Sequence, residues 1–169
     1  MEEEFKNIVN NCNRILYKVS RSYTQTDDDF KDLYQEILVQ LWRSYPSFKG
    51  ASKLSTWTYR VALNTAITFN NKQKSIRTKS LDTTVYEIPD GEEKVISNDR
   101  SNRNNKLLYC CINKLKKDER AIILLYLENN SYEEIAEILG IKINLVGVKI
   151  HRIKKKLLSS LKKSGYERF

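Results

Sequence analysis

A chain of 169 residues with 40% hydrophobic content, ten Tyr, five Phe and two Trp holds enough apolar material for one ordinary domain or two small ones, which excludes wholesale disorder. Five Gly and two Pro are too few for the turns of an all-β fold, and no apolar run of about eighteen residues exists to span a bilayer. The net charge of +9 concentrates in two places: residues 50–81 hold six basic and no acidic residues, and residues 142–169 hold nine basic and one acidic. Two basic segments imply two contacts with a polyanion, nucleic acid first, against the alternative of two solvated basic faces.

The opening stretch "MEEEFKNIVN" is acidic and lacks the apolar region of a signal peptide, so a cytoplasmic location is expected. Phe5, Ile8, Val9, Cys12, Ile15, Leu16 and Val19 then recur at helical spacing and predict a first amphipathic helix. A second helix has a clear start. Thr26 followed by Asp29 resembles a capping box, and Asp27 and Asp28 suit the positive end of the helix dipole. Its apolar members are Phe30, Leu33, Tyr34, Ile37, Leu38, Leu41 and Trp42, and "SYPSFKGAS" ends it at a proline. A third helix is predicted from about Ser55 to Lys72, with Trp57, Val61, Ala62 and Ala66 near one face.

Periodicity fades after "KQKSIRTKSLD", and Asp82 to Arg100 reads as a linker with mixed charges and an Asp90-Gly91 turn signal. Helices resume near Asn102, with Leu107, Leu108, Cys111 and Leu115, and in "KKDERAIILLYLENN", with Ala121, Leu124 and Leu125 inward. The expected architecture is all-α: two small helical domains, 1–78 and 102–169, joined by a flexible linker over 79–101.

The stretch "SYEEIAEILGIKINLVGVKIHRIKKKL" carries the sharpest pattern. Ser131 and Glu134 form a capping box before a short helix whose expected buried positions are Ile135, Ala136 and Leu139. Gly140 suits the left-handed residue that stops a helix, and a basic helix follows, which is the helix-turn-helix order. At about 100° per residue, Val146, Ile150, Ile153 and Leu157 share one face. Asn144, Val148, His151, Lys155 and, to one side, Arg152 face the other way. Lys149 and Lys156 flank that exposed face on one side, Gly147 and Lys154 on the other. The geometry suggests base contacts from Val148, His151 and Arg152, with thymine methyl and guanine as partners of the first and last, and phosphate contacts from the lysines. Gly147 admits two readings, close approach of the DNA backbone or a tolerated surface glycine that costs about 1 kcal/mol of helix stability relative to alanine.

The N-terminal half adds a second motif set. "DDDFKDLYQEILVQLWRSYPSFKG" followed by "STWTYRVALNTAITFNNKQK" resembles region 2 of the RNA polymerase sigma-70 family, specifically its extracytoplasmic-function (ECF) members. The resemblance rests on Asp32, Leu33, Gln35 and Glu36 in an acidic helix, then Phe48, Lys49 and Gly50 in a loop. Thr56, Trp57, Arg60, Val61, Ala62 and Asn64 complete it in the next helix. "LKKDERAIILLYLENNSYEEIAEILGI" with the basic helix resembles region 4, so the likeness covers nearly the whole chain in order and spacing.

That resemblance implies a set of roles. Asp32, Leu33, Gln35 and Glu36, with Trp42 nearby, would bind the clamp helices of the polymerase β′ subunit. The alternative is a solvated acidic face. Phe48, Lys49, Lys53, Ser55, Thr56, Arg60, Asn64, Lys72 and Lys74 would contact the −10 element as a single strand. Asn64 would bond a base, the cations would hold phosphates, and Trp57 is either core or a stacking platform. Asn144, Gly147, Val148, Lys149, His151, Arg152, Lys155 and Lys156 would read the −35 element while the domain docks on the β-flap. An anti-sigma factor is the further partner that the resemblance implies. The turn "GIKIN", Lys149 and Gly147 depart from the usual family pattern, so the −35 sequence is not transferable.

Two other readings compete. A helix-turn-helix regulator that works without polymerase accounts for the C-terminal half but leaves the Gln35-Glu36 and Trp57–Asn64 helices unused. A nuclease would need Asp27, Asp28, Asp29 and Glu36 to share a metal, yet consecutive aspartates at a helix start point in different directions. Cys12, Cys110 and Cys111 form no CxxC pair and one His is present, so reduced core thiols are expected, and neither a metal nor a cofactor.

Overall fold

The computed structural model describes residues 2–79 and 100–164, with side chains over 2–72 and 107–164. Its elements are α1 (Glu2–Tyr23), α2 (Asp27–Ser44), a 3₁₀ turn (Tyr45–Ser47), α3 (Leu54–Lys79), α4 (Arg100–Asn113), α5 (Lys117–Leu127), α6 (Tyr132–Leu139) and α7 (Ile143–Lys163). Among the described residues there is no strand, and the chain divides into two compact units, one holding α1–α3 and the other α4–α7. The expected linker falls almost wholly outside the described residues. The third helix runs to Lys79, beyond the expected end at Lys72.

In the first unit each helix packs on the other two. Leu16, Leu33, Ile37, Leu41 and Leu63 are buried at the centre, and Ala62 and Ala66 let α3 come close to its neighbours. Small hydroxyl residues also line the interior, which no apolar pattern announces. Thr24 and Thr65 turn their hydroxyls back on the carbonyls of Ser20 and Val61, both at 2.8 Å, so their burial leaves no donor unmet. Thr58 does the same with Leu54 at 2.8 Å and lies 3.4 Å from the Cys12 sulfur.

The start of α2 follows its sequence signal. Thr26 is extended (φ −107°, ψ 158°) and its hydroxyl accepts from the Asp29 amide at 3.1 Å. Arg21, at the end of α1, donates to Asp27 at 2.7 Å and lies 4.8 Å from the centre of the Phe30 ring. This pairing raises the Arg21 pKa and lowers that of Asp27.

In the second unit α7 packs against α4, α5 and α6. Its buried stripe is Val146, Ile150, Ile153 and Leu157, as the helical wheel predicts. Arg120 closes the α4–α5 corner by donating to the carbonyls of Asn113 and Leu115. The capping box at α6 is complete: the Ser131 hydroxyl accepts from the Glu134 amide at 3.1 Å, and the Ser131 amide donates to the Glu134 carboxylate at 2.9 Å. Gly140 ends α6 in the left-handed region (φ 65°, ψ 34°).

Three core expectations need correction. In α6 the buried pair is Ile135 and Ile138, while Ala136 and Leu139 are half-buried. In α5 Ile122 and Ile123 are buried beside Ala121 and Leu125, and Leu124 is only half-buried, because this apolar helix is covered on more than one side. Cys12 and Cys111 are buried thiols, but Cys110 is exposed.

Candidate protein and nucleic-acid interfaces

The outer face of α2 is a single stripe. Asp32, Gln35, Val39 and Trp42 recur at steps of three and four residues and all are exposed, with Val39 at 42% and Trp42 at 41%. The stripe runs from a polar, acidic end to an apolar end. Glu36 borders it, half-buried, and accepts from the Gln40 side chain at 2.8 Å. The Trp42 ring does not float: Phe5 of α1 meets it edge-on at 4.9 Å, and Tyr45 stands 6.0 Å from Phe5. Leu33 does not belong to the surface. It is fully buried on the Leu33, Ile37, Leu41 stripe, so its part in the motif is to seat α2 on the core. Val39 was not among the sequence candidates. Its register, four residues after Gln35 and three before Trp42, was the available signal.

The second candidate surface joins the loop after the 3₁₀ turn to the outer face of α3. Lys49, Lys53, Ser55, Arg60, Asn64 and Lys72 are exposed. Gly50 takes a left-handed conformation (φ 70°), which turns the loop back toward the start of α3. Arg60, Asn64 and Thr68 follow one another at four-residue steps along the exposed side, and the described part of α3 contains no acidic residue. Phe48 is half-buried against Trp57, with ring centroids 4.9 Å apart and planes at 32°. Trp57 itself is 9% exposed, which makes it core rather than an open platform. Thr56 is buried as well and is not positioned to meet a ligand directly. Lys74 lies on α3, but its side chain is outside the described residues.

The third surface is the outer face of α7. Asn144, Val148, His151, Arg152 and Lys155 are exposed, and Lys149 is half-buried. Leu145, absent from the sequence candidates, is 46% exposed and Val148 is 48% exposed. Leu145 falls outside the Val146, Ile150, Ile153, Leu157 register, and that was the signal for it.

Two flanking lysines have intramolecular partners. Lys156 reaches Glu119 at the start of α5, and this ion pair lowers the Glu119 pKa below its ordinary value. Lys154 donates to the Tyr126 hydroxyl at 2.7 Å and sits 4.1 Å from the centre of that ring. Lys156 therefore also serves the α5–α7 contact, although its side chain remains 52% exposed. Gly147 faces the ring of Tyr132: a Cβ placed there would stand 3.4 Å from the nearest ring carbon. The glycine therefore faces α6, with room for a methyl group against the ring.

Both units have counterparts in known proteins. Residues 8–76 match the model of Sigma-70 region 2, and residues 105–157 match Sigma-70, region 4. The ECF RNA polymerase sigma factor SigX of Bacillus subtilis is 27% identical over 156 residues, covering 90% of this chain and 80% of that protein. The ECF RNA polymerase sigma-E factor of Escherichia coli K12 is 35% identical over 133 residues, covering 73% and 69%. Among solved structures, the sigma factor RpoE of Bartonella quintana, crystallised with the anti-sigma factor NepR, has the same fold. It gives a TM-score of 0.76 at 23% identity, over 95% of this chain and 98% of that one. CnrH, solved with the cytosolic domain of CnrY, gives 0.68 at 20% identity over 96% and 90%.

Proposed function

Because the chain belongs to the sigma-70 family, in its extracytoplasmic-function branch, we propose that it is a dissociable initiation subunit that binds core RNA polymerase and directs it to promoters. The observation that carries this reading is the presence of both sigma regions, in order, in one chain. A regulator that binds duplex DNA unaided has no use for the α2 stripe of Asp32, Gln35, Val39 and Trp42. In this reading that stripe, with Glu36, meets the clamp helices of the β′ subunit, its acidic end seeking cations and its apolar end burying against them.

The loop from Phe48 to Ser55 and the outer face of α3 then hold the −10 strand. Lys49, Lys53, Arg60 and Lys72 neutralise phosphates, and Asn64 bonds a base edge, a role supported by its exposure on α3. The outer face of α7 enters the major groove of the −35 element, with the unit docked on the β-flap. The protein performs positioning rather than bond chemistry, so no metal or cofactor enters the scheme. Its place is the cytoplasm, where its polymerase works. None of the described helices is long and apolar enough to cross a membrane. An anti-sigma factor completes the partner set, a reading supported by the two fold neighbours solved with NepR and with the cytosolic domain of CnrY.

Run-off transcription with core polymerase and genomic fragments tests the proposal. Promoter-specific transcripts that vanish when the protein is omitted are the expected result. Tight duplex binding with no polymerase dependence would overturn it in favour of the unaided regulator.

A further inference from the structure

The first two turns of α7 are unusual for a helix in a basic segment. From Ile143 to Val148 they read Ile-Asn-Leu-Val-Gly-Val, with no charged side chain, although residues 142–169 hold nine basic residues. Val146 of this stretch is fully buried and Gly147 faces Tyr132. Leu145 and Val148 are neither: both stand nearly half exposed, three residues apart. They share the outer side of the helix with Asn144, His151, Arg152 and Lys155. An aliphatic pair ringed by cations suits a polyanion that carries apolar groups within it, and suits an apolar protein groove poorly.

Resting on the proposed −35 contact, we infer that Leu145 and Val148 form an apolar edge that selects thymine through its 5-methyl group. The N-terminal turns of a recognition helix reach the base edges, and the methyl is the one apolar feature that the major groove presents. Three residues advance the helix by about 4.5 Å, close to the roughly 3.4 Å between stacked bases, so the two side chains meet neighbouring base pairs. The phosphate work falls to the exposed cations further along, Arg152 and Lys155, because Lys154 and Lys156 are turned toward Tyr126 and Glu119.

The test uses holoenzyme assembled from the full chain and core polymerase, on a promoter duplex located by run-off mapping. Each thymine of the upstream element, on either strand, is replaced in turn by deoxyuridine, which deletes the methyl group and leaves base pairing intact. Two neighbouring positions should each lose about four-fold in affinity, the weight of one buried methyl-sized group. Leu145→Ala should erase the uracil effect at one of them and Val148→Ala at the other. Both residues are on the surface, so both variants should fold. Uracil tolerance at every position overturns the inference, as does uracil sensitivity unchanged in both variants. A loss of core assembly in the variants, with uracil effects intact, overturns it in favour of a protein-facing patch. Failure of the wild-type holoenzyme to make any promoter-specific transcript is a different result: it removes the proposed function and this inference with it.

Discussion

The ring of Tyr132, at the start of α6, borders the space that a side chain on Gly147 of α7 would enter, with a Cβ placed there 3.4 Å from the nearest ring carbon. That distance is ordinary van der Waals contact, so alanine fits without displacing the tyrosine. Gly147→Ala should therefore stabilise the second unit by up to about 1 kcal/mol, read as a rise in its thermal midpoint. The −35 affinity should stay unchanged, since the added methyl points at α6. A loss of DNA binding in a more stable variant would restore close backbone approach as the role of the glycine.

The two lysines at the end of the reading face should separate cleanly. Lys156→Met removes the partner of Glu119 and should cost about 0.5–1 kcal/mol of stability, with little effect on the salt dependence of promoter binding. Lys155→Met should leave stability alone and reduce the salt slope by about one. Equal slopes for the two variants in a salt titration would contradict this division.

The Glu119–Lys156 pair also sets a pH dependence. Its carboxylate has a lowered pKa in the folded state, chiefly through the hydrogen bond from Lys156. The stability that it contributes is present above the ordinary glutamate pKa and is lost as pH falls through the lowered folded value. Denaturation midpoints of the wild type should fall through that acidic window, and those of Lys156→Met should fall less there. Parallel pH curves would show that the pair contributes nothing.

On α2, Glu36→Lys should abolish binding to core polymerase while helix content stays at the wild-type level, because the Glu36 carboxylate accepts a local hydrogen bond from Gln40, one turn along the same helix. Trp42→Ala should weaken the same binding by roughly ten-fold or more, the usual effect of removing a central aromatic. Core assembly at wild-type strength in both would remove the α2 stripe from the interface.

Much of this architecture is local, and local features were legible in the sequence. Thr26 before Asp29 and Ser131 before Glu134 needed only three-residue spacing to be recognised as helix starts, and Gly140 only its place after the last periodic residue. The buried stripe of α7 came from periodicity alone. What escaped was long-range. Lys156 and Glu119 are 37 residues apart in the chain, and nothing at either position names the other. Gly147 looked like a hole because its neighbour, Tyr132, belongs to another helix. Leu33 and Thr56 belong to motifs that resemble binding signatures, but both are buried, since a recurring motif records scaffold as well as contact. Thr58, 0% exposed, escaped for the opposite reason: a hydroxyl that bonds its own helix packs like an apolar residue without resembling one.

Phe48→Ala should leave core binding intact and impair promoter opening. The loop that carries Phe48 is anchored through its ring on Trp57, and losing that contact frees the loop to wander. Permanganate footprinting of the unpaired −10 thymines is the measurement. Wild-type reactivity in the variant would show that the anchor is dispensable.

The two indoles of the chain sit in opposite surroundings: Trp42 is 41% exposed on α2, and Trp57 is 9% exposed beneath Phe48. The protein thus carries two built-in optical reporters. From these exposures, Trp42 should emit at the red, quencher-accessible end of the indole range and Trp57 at the blue, shielded end. Polymerase docking should blue-shift the first and protect it from iodide. Strand capture that disturbs Phe48 should act on the second. With Trp42→Phe and Trp57→Phe as complementary backgrounds, the order of the two events can be followed in real time without attaching a dye.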